Sequence, residues 1–266
     1  AGRHTQMKTI GFIGMGNMAQ AIVRGLHRAE AIKKENVLAF APHLDKLHKN
    51  AGEIGFIACD TTAELIEKSD MIVLACKPYQ IEKVVKENEE ALKGKAIIGI
   101  AYGWNLEKAA QILPEGARYV YMVPNTPVSI CSGIFLVEKE NSLSAAEDAF
   151  TEELLGSIGK YIRLPLESIG AANALTGCGP AFMSMVIEAL GDAGVKHGLT
   201  RQQAYELAAG VMEGTAKLQQ ETGLHPGAMK DQVCSPGGVT IRGVAALEEA
   251  GMRNAFFKAV DATFLK

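Results

Sequence analysis

Three clusters in the 266-residue sequence put reactive residue types at defined spacing. The first, Thr9 to Ala19, reads T-I-G-F-I-G-M-G-N-M-A. Its apolar run feeds into Gly14-x-Gly16-x-x-Ala19, and Ala19, Ile22, Val23 and Leu26 continue at helical spacing. The pattern predicts strand, tight turn and helix. Gly14 supplies the backbone angles of the turn, Gly16 lets the main chain approach a pyrophosphate, and Ala19 lets helix pack on strand. Phosphates would rest on the unpaired N–H groups at the helix start, where the dipole also favours negative charge. Glycine-rich turns of this kind also occur without a ligand. Its place in the first strand, with a second apolar run at Val37 to Phe40, points to a dinucleotide.

The second cluster gathers segments that end later strands. Ala75-Cys76-Lys77-Pro78 stops the fourth; Lys77 could approach a phosphate or be a solvated lysine. Ala101-Tyr102-Gly103 follows the fifth strand, and Pro124-Asn125-Thr126-Pro127 follows the sixth. The prolines either fix Asn125 and Thr126 to face the nicotinamide end of a cofactor or make a plain rigid turn. A NAD enzyme of this fold usually carries an acid at the end of the second strand. Phe40-Ala41-Pro42-His43 has none, which favours NADP, and His43 is either a contact to a 2′-phosphate or a surface histidine.

The third cluster, Val233 to Thr240, reads V-C-S-P-G-G-V-T. Gly237 and Gly238 leave backbone N–H groups bare at the entry of a helix, between the hydroxyls of Ser235 and Thr240. A helix cap would use the same residues. Two consecutive glycines with polar groups on both sides favour a cradle for a ligand carboxylate.

The elements that must position these clusters are legible as well. Apolar runs at Thr9–Ile13, Val37–Phe40, Phe56–Ala58, Met71–Ala75, Ala96–Ile100, Tyr119–Met122, Ile134–Val137 and Tyr161–Leu164 alternate with helical patterns. That alternation predicts an α/β fold with a parallel, doubly wound sheet. Asn105 and Ser144 mark helix starts. After Pro165 small residues, Leu and Met recur at helical spacing. Gly179-Pro180 opens a helix running to about His197, Thr200 with Gln203 caps one over Arg201–Thr222, and two more cover about Val239–Glu249 and Met252–Phe264. The expected domains are therefore 7–165, mixed, and 166–266, all helical, with residues 1–6 read as a cloning scar before Met7.

The helical half carries more apolar and small side chains than so short a segment can bury on itself, so it either associates with another subunit or packs on the first domain. The net charge is -3 with scattered Lys and Arg, giving no basic stripe for nucleic acid or membrane, and neither partner is expected. Five widely spaced cysteines with no C-x-x-C pair indicate neither a disulfide framework nor a metal site, and reduced thiols suit the cytoplasm. No apolar stretch approaching the ~20 residues of a membrane span is evident.

Over nearly its whole length from Met7 the sequence resembles the Δ1-pyrroline-5-carboxylate reductase family. The resemblance is carried by I-G-M-G-N-M-A, by A-C-K-P, by V-P-N-T-P at 123–127, by L-T-G-C-G-P-A-F at 175–182, and by V-C-S-P-G-G-V-T continuing through Gly243, Val244, Leu247 and Glu248. It implies a Rossmann-like domain and a helical dimerisation domain that interlocks with its partner's, the dimers building larger rings such as a decamer. It implies reduction of 1-pyrroline-5-carboxylate to L-proline, with NADPH as reductant and NADH as the alternative. Ser235, Gly237, Gly238, Val239 and Thr240 would hold the substrate carboxylate, Thr240 would lie by the ring nitrogen as the catalytic residue, and Gln232 and Glu167 would line the site. Gly14, Met15, Gly16, Asn17, Met18, Ala41, Thr62, Ala75, Cys76, Lys77, Pro78, Ala101 and Asn125 would face the cofactor. Cys178, Phe182 and Tyr102 depart from the family's usual serine, tyrosine and alanine.

A cyclic imine is readily protonated, and its iminium carbon accepts hydride without a strong base, so the protein's task would be positioning. Two rival readings fit less well. A β-hydroxyacid dehydrogenase needs a helix lysine, and none lies between Lys160 and Lys196. A non-catalytic dinucleotide sensor gives no reason for the Ser235–Thr240 segment.

Overall fold

The computed structural model describes residues 7–264, so the cloning scar expected at residues 1–6 lies outside the described residues. Its strands are β1 (Ile10–Ile13), β2 (Val37–Phe40), β3 (Ile57–Ala58), β4 (Met71–Leu74), β5 (Ala96–Gly99), β6 (Arg118–Pro124), β7 (Gly133–Glu138) and β8 (Gly159–Leu164). They form one sheet in the order β3-β2-β1-β4-β5-β6-β7-β8. Each overlaps a run read as strand from its apolar pattern.

The sheet is not parallel throughout. β1 to β6 run one way, but β7 pairs antiparallel with β6, and β8 pairs parallel with β7. Parallel neighbours need a crossover of about a dozen residues or more. Only residues 125–132 lie between β6 and β7, enough for the single 3₁₀ turn at Thr126–Ile130, so the chain reverses.

The helices of this part are α1 (Asn17–Arg28), α2 (Leu44–Asn50), α3 (Thr62–Lys68), α4 (Ile81–Glu87), α5 (Glu89–Leu92), α6 (Leu106–Ala110), α7 (Ala145–Gly156) and α8 (Leu166–Thr176). Alternate strand residues serve opposite faces of the sheet. Phe12, Ala39, Val73, Ile98 and Met122 pack with Ile22, Val23 and Leu26 of α1 and Leu154 of α7. Ile13, Leu38, Ile72, Ile97 and Tyr121 pack with Leu65 of α3, Ile81 of α4 and Ile169 of α8. Strands covered on both faces are apolar at every position, which explains their continuous hydrophobic runs.

The chain divides into two compact units between Gly177 and Cys178. By its contacts α8 belongs to the first, because Ile169 and Ala172 pack into the core on the sheet, although the sequence boundary was expected near 165. The second unit comprises α9 (Gly179–Lys196), α10 (Arg201–Thr222), α11 (Pro226–Gln232), α12 (Val239–Glu249) and α13 (Met252–Ala262). Thr200 and Gln203 form the expected capping box of α10. α9 and α10 approach closely at glycine: a Cβ on Gly191 would fall 2.4 Å from the Tyr205 ring. Among the described residues of this unit only Gly191, Ala204 and Ala208 are buried.

Contrary to the sequence expectation, residues 166–196 are long and apolar enough, by length and composition alone, to cross a membrane. Gly177-Cys178-Gly179-Pro180 punctuates the run and divides it between α8 and α9, each shorter than the ~20 residues of a span.

Candidate active site

In the first unit the strand order reverses about β1, which lies between β2 and β4. Such a switch point is where open α/β sheets bind ligands, outside the carboxyl ends of the strands. Gly14 sits there. Its N–H donates to the Phe40 carbonyl at 2.7 Å, while the Ala75 N–H donates to the Ile13 carbonyl at 2.9 Å. Its φ is +100°, and a Cβ would fall 2.8 Å from the Ala75 carbonyl and 2.9 Å from the Cys76 nitrogen. Only glycine fits both demands. Gly16, by contrast, has nothing within 4 Å of where its Cβ would be. Gly16 precedes α1 without a side-chain cap, leaving the first amide groups of that helix open. Asn17 is exposed and Met18 half-buried, whereas the Met15 side chain is buried in the core and offers the edge only its main chain.

The remaining nucleotide candidates of this unit lie at the same edge. Ala41 is half-buried just after β2, and His43 is exposed at the start of α2 with no cap bond from its ring. Thr62 is the half-buried first residue of α3; the capping hydroxyl there belongs to Thr61, which accepts from the Glu64 N–H. After β4 the Cys76 thiol is pushed up to about 11 by burial, so it stays protonated at neutral pH. Lys77 is exposed, and its main-chain N–H donates to Gln80 Oε1 at 3.0 Å. The segment Ala75–Pro78 is tied to the loop after β5, where Ala101 is buried: Trp104 Nε1 donates to the Pro78 carbonyl at 2.9 Å.

Asn125 follows β6 directly. Its side chain is buried and already occupied, with Oδ1 accepting from the Ile134 N–H at 2.7 Å and Nδ2 donating to the Thr176 carbonyl at 3.0 Å. The amide joins β7 to the last turn of α8, and one amide hydrogen and one lone pair remain free. The sharp reversal into β7 created this demand, which no local pattern announces. Glu167 is exposed in the first turn of α8.

In the second unit, Gln232 is exposed at the end of α11, and the chain then turns at Ser235-Pro236-Gly237-Gly238. The Gly238 N–H donates to the Ser235 carbonyl at 3.0 Å, and Gly237 has φ +70°. Proline second and a positive-φ glycine third are the residues of a type II turn. The Gly238 amide is thus closed into the turn rather than bare. The open donors shift forward to Val239, Thr240 and Ile241, the first turn of α12, which begins at Gly238 without a side-chain cap. Ser235, Val239 and Thr240 are exposed there, so a carboxylate can reach two hydroxyls and these amides. Among the described residues no cluster of His, Cys, Asp and Glu could hold a metal.

Residues 167–266 match the family described as pyrroline-5-carboxylate reductase dimerisation, and residues 9–103 match NADP oxidoreductase, coenzyme F420-dependent. A pyrroline-5-carboxylate reductase of Treponema pallidum is 39% identical over 95% of this chain and 97% of its own. The chain belongs to the pyrroline-5-carboxylate reductase family. The Escherichia coli reductase is 35% identical over 95% of this chain and 94% of its own. The crystal structure of a Plasmodium falciparum pyrroline carboxylate reductase with NADP bound superposes with a TM-score of 0.87 at 28% identity, covering 97% of this chain and 96% of that one. The match at 9–103 lies within the first unit and takes in β1 to β5, and the match at 167–266 takes in most of α8 and the helical unit.

Proposed function

We propose that this reductase family member converts 1-pyrroline-5-carboxylate to L-proline, the last step of proline biosynthesis, using NADPH, with NADH as the alternative donor. What supports the reading above all is one chain, 39% identical along 95% of its length to a pyrroline-5-carboxylate reductase, that carries both the Gly14 turn and the Ser235–Thr240 turn.

The first unit fits a dinucleotide. Gly14 and the open space at Gly16 admit a pyrophosphate beside the free amides of α1. The end of β2 presents Ala41, Pro42 and His43 with no acid, which leaves room for a 2′-phosphate and favours NADPH. Main-chain atoms of Ala75–Pro78 and Ala101 would bound the nicotinamide half, with Asn125 behind them. When bound, the nicotinamide supplies the hydride.

Everything else is positioning by this chain's residues. The amides at the start of α12 and the Ser235 hydroxyl hold the substrate carboxylate, and the Thr240 hydroxyl hydrogen-bonds the ring nitrogen. The iminium carbon then takes up hydride, and the nitrogen keeps its proton as the amine forms. Gln232 and Glu167 would line the substrate.

Among its described residues the second unit has three buried ones while Met185, Leu207, Val211, Val239 and Phe257 are more than half exposed, too little core to stand alone. A homodimer, assembling into larger rings such as a decamer, would cover that surface. All five cysteines are free thiols, in keeping with the reducing cytoplasm.

The test follows reduced-nicotinamide absorbance with pyrroline-5-carboxylate, and in parallel a β-hydroxyacid with NADP⁺. Loss of absorbance in the first arm alone is expected. Turnover only in the second arm, or in neither, would refute the reading. Sedimentation showing a monomer at micromolar concentration would remove the assembly.

A further inference from the structure

The segments after β4 and β5 are adjacent, because the strands that deliver them pair in parallel register from Met71–Ala96 to Leu74–Gly99. Loops of this kind normally move independently. Here one side chain crosses between them. Trp104, the sole tryptophan, is 7% exposed, and its indole N–H donates to the Pro78 carbonyl at 2.9 Å.

The loop bearing Trp104 is itself fastened from β6. Tyr119 Oη donates to the Trp104 carbonyl at 2.6 Å, and the Gly103 N–H donates to Tyr121 Oη at 2.9 Å. Tyr119 reaches that carbonyl only because Gly99 has no side chain: a Cβ there would fall 1.7 Å from the phenol oxygen. Lys108 Nζ lies 4.1 Å from the centroid of the indole ring. A buried aromatic with all polar atoms engaged is a rigid spacer.

We propose that Trp104 is a positioning residue for the reductant, fixing the separation of Ala75–Pro78 and Ala101–Gly103 so that their main chains are set before a nicotinamide nucleotide binds. The inference rests on the function proposed above, and it goes further in naming a residue that touches neither nucleotide nor substrate. Preset loops avoid the entropy of ordering on binding, so loosening them weakens nucleotide affinity while the carboxylate site is untouched.

Trp104→Phe keeps an aromatic ring and deletes the donor. Losing one hydrogen bond of this kind corresponds to roughly a three- to tenfold change in an equilibrium constant. The expected result is therefore a three- to tenfold rise in KM for NADPH and in its calorimetric Kd, with KM for pyrroline-5-carboxylate within about twofold of the parent. Leu92→Ala, a buried change outside both loops, controls for lost stability and should move neither constant. Tyr121→Phe unfastens the same loop while leaving Trp104 as a fluorescent probe; it should raise the NADPH Kd and shift tryptophan emission, and it decides the matter if Trp104→Phe does not fold. Unchanged NADPH affinity in a folded loop variant, or an equal rise in the Leu92→Ala control, overturns the proposal. A parent that binds NADPH without reducing the imine refutes the functional reading alone, and a parent that does not bind NADPH refutes both.

Discussion

The hydroxyl of Ser235 occupies the space that a side chain at Gly238 would need, since a Cβ there would lie 2.6 Å from its Oγ. Gly238 is therefore required by its neighbour as well as by the turn, and together they set where a carboxylate finds its donors. In Gly238→Ala the Ser235 hydroxyl must rotate away or the turn must open. A charge-assisted hydrogen bond contributes about 1.5–3 kcal/mol, so KM for pyrroline-5-carboxylate should rise about ten- to a hundredfold while KM for the nucleotide stays near the parent value. Steady-state kinetics with each substrate varied in turn checks this, and an unchanged imine KM would remove the carboxylate from this turn.

Thr240 stands in the first turn of α12 with its hydroxyl exposed. Thr240→Ala leaves the backbone donors in place and removes only the partner of the ring nitrogen. kcat/KM should fall roughly ten- to a hundredfold, with the fall in kcat because the bond strengthens as charge reorganises at the nitrogen. A loss confined to KM would reassign Thr240 to carboxylate binding.

Gly14→Ala meets two obstacles at once, a φ of +100° and the Ala75 carbonyl 2.8 Å from the new carbon. Strain of this kind costs about 1–3 kcal/mol, and relief by shifting β4 would displace the neighbouring nucleotide segment. NADPH binding measured by calorimetry should weaken at least about tenfold, with a lower melting temperature. Gly16→Ala, where the added carbon meets nothing within 4 Å, should leave stability unchanged and affect nucleotide affinity alone.

Arg118 donates from Nε and a terminal nitrogen to both oxygens of Glu147, each at 2.7 Å, and this fork holds the Glu147 carboxyl below its ordinary value of 4.5. A depressed carboxyl stabilises the fold above its unfolded pKa, and the contribution disappears as pH falls through the lowered value. Because the Arg118 side chain is 35% exposed, solvent screening limits the pair to about 1 kcal/mol. Glu147→Gln, which can still accept the capping bond from the Ser144 N–H, should lower the melting temperature by about 2–4 °C at neutral pH. The gap between variant and parent should close in acid, below the ordinary carboxyl range. A gap independent of pH would mean that packing, not ionisation, links the two residues.

The apolar runs are unbroken in β1, β2, β4 and β5 because these central strands are covered on both faces, whereas the edge strand β8 carries Lys160 and Arg163, and the turn glycines and prolines supply the boundaries. Strand sense is not a local property. Yet the short link 125–132 excludes a parallel crossover between Pro124 and Gly133, so loop length carries the sense of β7 where the apolar pattern does not. α11 was missed because seven residues give too little periodicity, although His225-Pro226 announces it: the His225 ring accepts from the Gly227 N–H and proline takes the first position. At the site, Gly14 and Gly237 were legible because positive φ singles out glycine. The capture of the Gly238 amide by Ser235 and of the Asn125 amide by Ile134 and Thr176 was not, because each depends on how the backbone closes rather than on which residues stand in line.

Isotope transfer examines the hydride step itself. NADPH carrying deuterium at both C4 positions, incubated with this protein and pyrroline-5-carboxylate, should yield proline with one deuterium on the ring carbon beside the nitrogen that does not bear the carboxylate, read by mass spectrometry and NMR. Proline without the label, or no proline while the nucleotide remains reduced, would contradict the account.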